Sequence, residues 1–116
     1  MAVHFYTSDP RGLLDAFKIA VNQTELEGKI TTWRQWQSTD YYTHTSAQWQ
    51  SHAYMQAVVK RDTLTFFIVN ARGSAVSQTV YGFYHGHLIE TFLNHFDKLF
   101  EQGAASALPG DGDIIE

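Results

Sequence analysis

The chain has no cysteine and no long apolar segment. Without cysteine it cannot contain disulfides, thiolate zinc ligands or a thiol nucleophile. Its apolar runs, such as 66–69, are only a few residues long, whereas a helix that spans a membrane needs about 20 apolar residues. Residues 1–10 have neither the basic region nor the apolar region that makes a secretory signal. We therefore expect a soluble, cytoplasmic protein.

Positive charge is also scarce. The chain has 8 lysine and arginine residues against 12 aspartate and glutamate residues, a formal net charge of −4, and the basic residues form no run. Nucleic-acid binding needs a dense positive face, so we expect no nucleic-acid partner, and no membrane partner either. The sequence also lacks a glycine-rich phosphate loop, a GxSxG elbow and a GxGxxG fingerprint. We expect no cofactor, and an enzyme is the less favoured interpretation.

Aromatic residues, in contrast, are abundant, at 15% of 116 residues. Period-two alternation predicts strands at 3–7, 29–37, 41–45, 50–60 and 63–70, and amphipathic patterns predict helices at 10–23 and 77–102. The predicted fold class is therefore α+β, with a five-stranded, mostly antiparallel sheet in the order β-α-β-β-β-β-α and two helices packed on one face. We predict a single domain over 1–103 and a flexible acidic tail over 104–116.

The segments 50–60 and 63–70 define the two faces of the predicted sheet. Arg61 and Asp62 leave room only for a tight hairpin, so Val59 is expected to pair with Leu64. With that register, one face of the hairpin is fully apolar and the other is mixed. The helices should cover the apolar face and leave the mixed face open to a partner.

An aromatic and amide-rich region between residues 31 and 54 is the first candidate site. Tryptophan and tyrosine present a broad apolar surface with a polar edge, which suits protein interfaces and sugar rings alike. The alternative is that these rings only fill sheet surface. We favour a protein-interaction surface on the open sheet face, with a homodimer as its simplest form. Its predicted anchors are Trp33, Trp36, Tyr42 and Trp49.

The second candidate site is the segment 81–87, at the start of the last predicted helix. His85 falls in the middle of the apolar arc, and Gly82 and Gly86 flank it one turn apart. Glycine is unfavourable in a helix, and the close approach of another backbone is the usual compensation. The residue is then either a core histidine bonded to a backbone carbonyl or a functional histidine at the base of a pocket. The second interpretation predicts a ligand-binding or enzymatic pocket between sheet and helix, with Tyr81 and Tyr84 near its mouth.

Six histidines raise the question of a metal site. No two of them have the i, i+4 spacing that places two ligands on one helix face, and there is no HExxH motif. A zinc site that combines His44, His52 and a third group from separate strands is an open alternative. We expect no metal.

Overall fold

The computed structural model describes residues 2–50, 52–70 and 77–106. They form one antiparallel sheet of six strands and two helices, so the predicted α+β class is confirmed, with one strand more than expected. The elements in chain order are β1 Ala2–Tyr6, α1 Pro10–Asn22, β2 Trp33–Gln35, β3 Tyr41–His44, β4 Ala53–Val59, β5 Thr63–Asn70, α2 Gln78–Phe96 and β6 Gln102–Ala105. The strand order across the sheet is β2-β3-β4-β5-β1-β6.

Both helices begin at side chains that accept backbone hydrogen bonds. The Asp9 carboxylate accepts the Gly12 N–H at 3.0 Å, and Pro10 follows it in the first turn of α1. The Ser77 hydroxyl oxygen accepts the Val80 N–H at 3.2 Å at the start of α2. These are the helix starts that the sequence predicts.

The hairpin of β4 and β5 has the predicted register, in which Val59 pairs with Leu64. Its apolar face is buried, since neither Met55 nor Phe66 has any exposed surface. The helices cover this face: Phe17 of α1 packs with its ring centre 5.8 Å from Phe66, and Phe92 of α2 lies 5.7 Å from the same ring. The two helices therefore form a single layer, as predicted, and the opposite face of the sheet carries no helix of the described residues.

The sixth strand was not predicted because Gln102–Ala105 contains no β-branched or aromatic residue. It forms because β1 offers its free edge, where Ser106 N–H donates to the Ala2 carbonyl at 2.8 Å. The strand includes the first two residues of the predicted tail, and residues 107–116 lie outside the described residues.

Helix α2 ends at Phe96, six residues before the predicted end at 102. The apolar pattern continues past the helix because Phe100 enters the core from the connection to β6, with its ring centre 5.2 Å from that of Phe5. Leu99 belongs to the same apolar pattern, which predicts that it is buried, but it is 48% exposed. No helix within the described ranges has the length and apolar character needed to cross a membrane.

Candidate functional site

The uncovered face of the sheet is rich in aromatic and aliphatic side chains. Trp36 and Tyr6 are the most exposed of them, at 39% and 40%. Trp36 contacts two neighbouring rings edge-on, with centroid distances of 6.4 Å to Tyr41 and 6.1 Å to Tyr54. The other members are half-buried. We call this surface the open face; its apolar members are Tyr6, Trp36, Tyr41, Tyr54, Val58, Phe67 and Val69.

The charged residues that strand alternation places on the open face are basic. Arg34 lies in β2, at the edge of the sheet, and Lys60 directly follows β4. The Lys60 ammonium nitrogen lies 5.1 Å from the ring centre of Phe67, a cation–π contact that keeps its aliphatic stem against the surface. Both charges are therefore at the margin of the face, and its centre, which includes Gln56, is uncharged.

Two of the predicted anchors, Trp33 and Tyr42, lie in the core and not on the open face. They are 1% and 0% exposed. Trp33 Nε1–H donates to the Thr91 hydroxyl oxygen of α2 at 3.1 Å, and the Tyr42 ring lies 4.7 Å from Phe17 of α1. The physical reason is strand alternation: Trp33 and Trp36 are three residues apart and so face opposite sides of the sheet. Of the four predicted anchors, Trp36 is on the open face.

Trp49 lies in the connection between β3 and β4, on the helix side of the sheet. Its ring stacks on Phe83 of α2, with centroids 4.2 Å apart and planes 9° apart. The Tyr84 hydroxyl donates to the Trp49 carbonyl and is 3.1 Å from the Thr43 hydroxyl oxygen. Tyr84 is completely buried, so it is part of the core and not the mouth of a pocket. These contacts hold the connection between β3 and β4 against α2.

Two histidines face each other beside this cluster. The ring centres of His44 and His87 are 4.7 Å apart, and Trp33 stacks on His87 at 5.9 Å. Burial, together with repulsion from His87, lowers the pKa of His44 to about 4. His44 Nδ1 accepts the Ser46 N–H at 3.0 Å, so the proton of the neutral ring is on Nε2. A metal at Nε2 would need that proton to move to Nδ1, where it would point at another donor.

The described residues contain no group of three histidine, cysteine, aspartate or glutamate side chains that could hold a metal ion. His52, named with His44 in the zinc alternative, is exposed and has its ring beside Trp49, at 6.4 Å. The histidines near α2 are therefore part of an aromatic cluster that joins the helix to the sheet.

A cleft of about 500 Å³ lies between α2 and β6. His85 and Tyr81 are part of its wall, and both are at least nine-tenths buried. The His85 Nδ1–H donates to the Tyr81 carbonyl at 2.7 Å, the backbone bond expected of a core histidine. His85 thus has a structural hydrogen bond and also borders a cavity. The lining residues are Gln78, Tyr81, Gly82, His85, Gly86, Ile89, Ala105 and Ser106.

No backbone within the described ranges approaches the two glycines of α2 closely. A methyl group at Gly82 or Gly86 would meet no described atom within 4 Å outside the adjacent helix backbone. The close backbone approach predicted for them from the sequence is therefore not made by any described residue. The glycines instead leave space along one side of the cleft, because a larger side chain at either position would extend into it.

Comparisons with protein-family models, with curated proteins and with solved structures found no match. The functional interpretation therefore depends on the geometry of the open face and of the cleft. The sequence had already indicated the open face through the mixed side of the 50–70 hairpin. That pattern already places Tyr54 on this face, in register with Val69. It did not indicate Tyr6 or Tyr41, because each of these tyrosines becomes part of the surface only through strand pairing.

Proposed function

We propose that this protein is a non-enzymatic protein-interaction module that forms a homodimer through the open face. The observation that carries the proposal is a sheet covered by helices on one side and apolar, with aromatic rings, on the other. An apolar face of this extent is unfavourable in water and is typical of an interaction site. Trp36 is the expected anchor, since it is exposed and held in place by two rings.

The dimensions of the open face correspond to a small dimer interface. The longest strands, β4 and β5, have 7 and 8 residues, which corresponds to about 25 Å at about 3.3 Å per residue. The outer strands of six are about 24 Å apart at about 4.8 Å per step. Because the other four strands have only 3 to 5 residues, the footprint is about 500 Å². With the relief of the side chains it is at the lower end of specific interfaces, in which each partner buries roughly 600 to 1,000 Å².

The position of the charges is compatible with self-association. In a two-fold dimer the same patch is present on both sides, so charges at its centre would face their own copies. Arg34 and Lys60 are at the margin, where solvent screens their repulsion. The uncharged centre can then be buried without burying a charge.

Thiol labelling tests this proposal directly because the natural chain has no cysteine. A single cysteine at Gln56→Cys lies at the centre of the open face, between Tyr41 and Phe67. A single cysteine at Leu93→Cys lies on the exposed side of α2 and is the matched control, since Leu93 is 53% exposed.

We expect the labelling rate of Gln56→Cys to fall at least tenfold as the protein concentration rises, because the dimer buries this thiol. The rate of Leu93→Cys should remain constant. Equal and concentration-independent rates for both thiols would contradict a homodimer through the open face.

The cleft beside His85 supports a second candidate function, the binding of a ligand between α2 and the sheet. Its volume of about 500 Å³ is within the range of ligand pockets, and its lining is mainly apolar with a few polar groups. We further propose that the protein is cytoplasmic and that it binds neither nucleic acid nor a membrane.

A further inference from the structure

The outer edge of β6 is not paired with any strand of the described residues. Among the described strands, β6 pairs only with β1, and Ser106 N–H bonds to Ala2. In an antiparallel ladder the direction of the backbone groups alternates, so Ala104 also bonds inward to β1. The N–H and C=O groups of Gly103 and Ala105 therefore point outward, where an additional strand could pair with them.

The β6 strand is short, at four residues, but its side chains do not prevent such pairing. Edge strands are usually protected by lysine, proline or inward-pointing charges. Gln102–Ala105 contains no charged residue and no proline. The opposite edge of the sheet, by contrast, is a three-residue strand that carries Arg34. The β6 edge is thus the more favourable one for the addition of a strand.

The cleft lies beside this edge, on the helix side of the sheet. Ala105 has its side chain on the same face as Val3, its partner in β1, and it lines the cleft together with Ser106. A strand added at β6 would place every second side chain on that face. Those side chains would enter the space that Gly82 and Gly86 leave open along α2.

We propose that the β6 edge and the cleft together bind an extended peptide segment of a partner protein, as an added strand with apolar side chains at alternate positions. The proposal builds on the second candidate function, ligand binding in the cleft, and names the ligand class. Backbone hydrogen bonds to Gly103 and Ala105 give affinity, and the cleft selects the side chains that face α2.

The lengths of the two elements agree with this ligand. The lining residues of α2 extend from Gln78 to Ile89, a distance of about 16 Å at about 1.5 Å rise per residue. An extended segment of about five residues covers the same distance at about 3.3 Å per residue. Among the described residues that line the cleft there is no lysine, arginine, aspartate or glutamate, so we expect the complementary side chains to be uncharged.

A second copy of this chain fits the site less well than a foreign peptide. In a pair of β6 strands, the side chains that face α2 would come from Gly103 and Ala105 of the other copy. The side chains of alanine and glycine, a methyl group and a hydrogen atom, are too small to fill a cleft of about 500 Å³. The cleft favours a strand with larger side chains, such as isoleucine or leucine.

The probe is an acetylated and amidated heptapeptide in which isoleucine and threonine alternate, titrated into ¹⁵N-labelled protein and followed by NMR. Binding should shift the amide signals of Gly103 and Ala105 and protect both amides from solvent exchange. Methylation of the peptide nitrogens that face β6 should weaken binding at least tenfold, because it removes the hydrogen bonds and leaves the protein unchanged. A peptide of the same composition with its isoleucines adjacent should bind at least tenfold more weakly.

Two variants test the protein side. Gly86→Leu fills the cleft, and Ala105→Pro removes an outward N–H and leaves the inward bonds to β1; each should weaken binding of the heptapeptide at least tenfold. Leu93→Ala, on the exposed side of α2, should leave the affinity unchanged. Urea denaturation of each variant establishes that it is folded, and the methylated peptide provides the same test without any protein variant.

The contradicting outcomes separate this inference from the functions proposed above. If N-acetyl-isoleucine methylamide binds the cleft as tightly as the heptapeptide does, the site is a small-molecule pocket and the strand proposal is refuted. Loss of self-association in Ala105→Pro would show that β6 pairs with a second copy, which also refutes it. If neither the heptapeptide nor the single-residue probe shifts any amide signal, the second candidate function fails as well.

Discussion

Replacing the two glycines of α2 by alanine should make this protein more stable. Gly82 and Gly86 are exposed positions in the interior of a 19-residue helix. Alanine is more favourable than glycine there by about 1 kcal/mol, because glycine loses more backbone freedom when the helix forms. The new methyl groups meet no described atom within 4 Å, so no clash opposes this gain.

The expected gain of the double variant Gly82→Ala, Gly86→Ala is therefore about 2 kcal/mol, or roughly thirtyfold in the folding equilibrium. The matched control is Gly12→Ala in α1. A methyl group there would lie 2.2 Å from the Asp9 carboxylate, which caps the helix by accepting the Gly12 N–H. Displacing the cap costs about 1 kcal/mol, which offsets the helix propensity gained, so Gly12→Ala should not stabilise.

Urea denaturation at neutral pH measures all of these variants. The midpoint should rise for each α2 variant, and the slope of the free energy against urea should stay constant, because the surface exposed on unfolding is the same. A lower midpoint for Gly82→Ala or Gly86→Ala would refute the reasoning, since it would mean that this side of α2 is closely packed and that the cleft is not open.

Three further substitutions probe the core and the aromatic cluster. Trp33→Ala should reduce the free energy of unfolding by about 3–5 kcal/mol, because it removes a fully buried ring, and thermal or urea denaturation would detect this. Tyr84→Phe should reduce it by about 1–3 kcal/mol, because the Trp49 carbonyl loses its donor, whereas Tyr6→Phe at a 40% exposed position should change little. Between pH 6.5 and about 4, His44 is protonated in the unfolded chain but neutral in the folded protein. The protein's free energy of unfolding should therefore fall by about 3 kcal/mol in total as the pH is lowered through this range. The fall should be smaller by that amount in His44→Asn, which keeps an acceptor for Ser46 N–H; equal acid sensitivity in both proteins would contradict the low pKa of His44.

The hairpin of β4 and β5 was predictable because local signals specify it completely. Its alternation is uninterrupted, and Arg61 and Asp62 allow only a tight turn, so the register follows from Val59 and Leu64 alone. The helix starts were predictable for the same reason, since Asp9 and Ser77 are local caps.

The sixth strand and the end of α2 depend on tertiary contacts and could not be predicted in this way. Gln102–Ala105 has no intrinsic preference for a strand and forms one by pairing with β1. Phe100 continues the helical apolar pattern, yet its burial comes from Phe5 in a non-helical segment. In both cases a non-local partner decides the conformation.

In the candidate sites, too, the relations that depend on local sequence were predictable and those that depend on strand pairing were not. The helical periodicity of α2 correctly placed His85 beside the two glycines, because these relations are local. Alternation within β2 also requires Trp33 and Trp36 to face opposite sides, but the short strand does not indicate which side the helices cover. That choice depends on the pairing of β2 with β3, in which Trp33 lies opposite the buried His44.

The most direct test of the proposed homodimer is its mass by light scattering across a concentration series, for the natural protein, Trp36→Ala and Leu93→Ala. The natural protein and Leu93→Ala should each reach the mass of two chains, and at the same protein concentration. Trp36→Ala should need at least thirtyfold more protein, since loss of an anchor weakens association by about 2 kcal/mol or more. A dimer that Trp36→Ala leaves unchanged, or a natural protein that stays a monomer at every concentration, would contradict association through the open face.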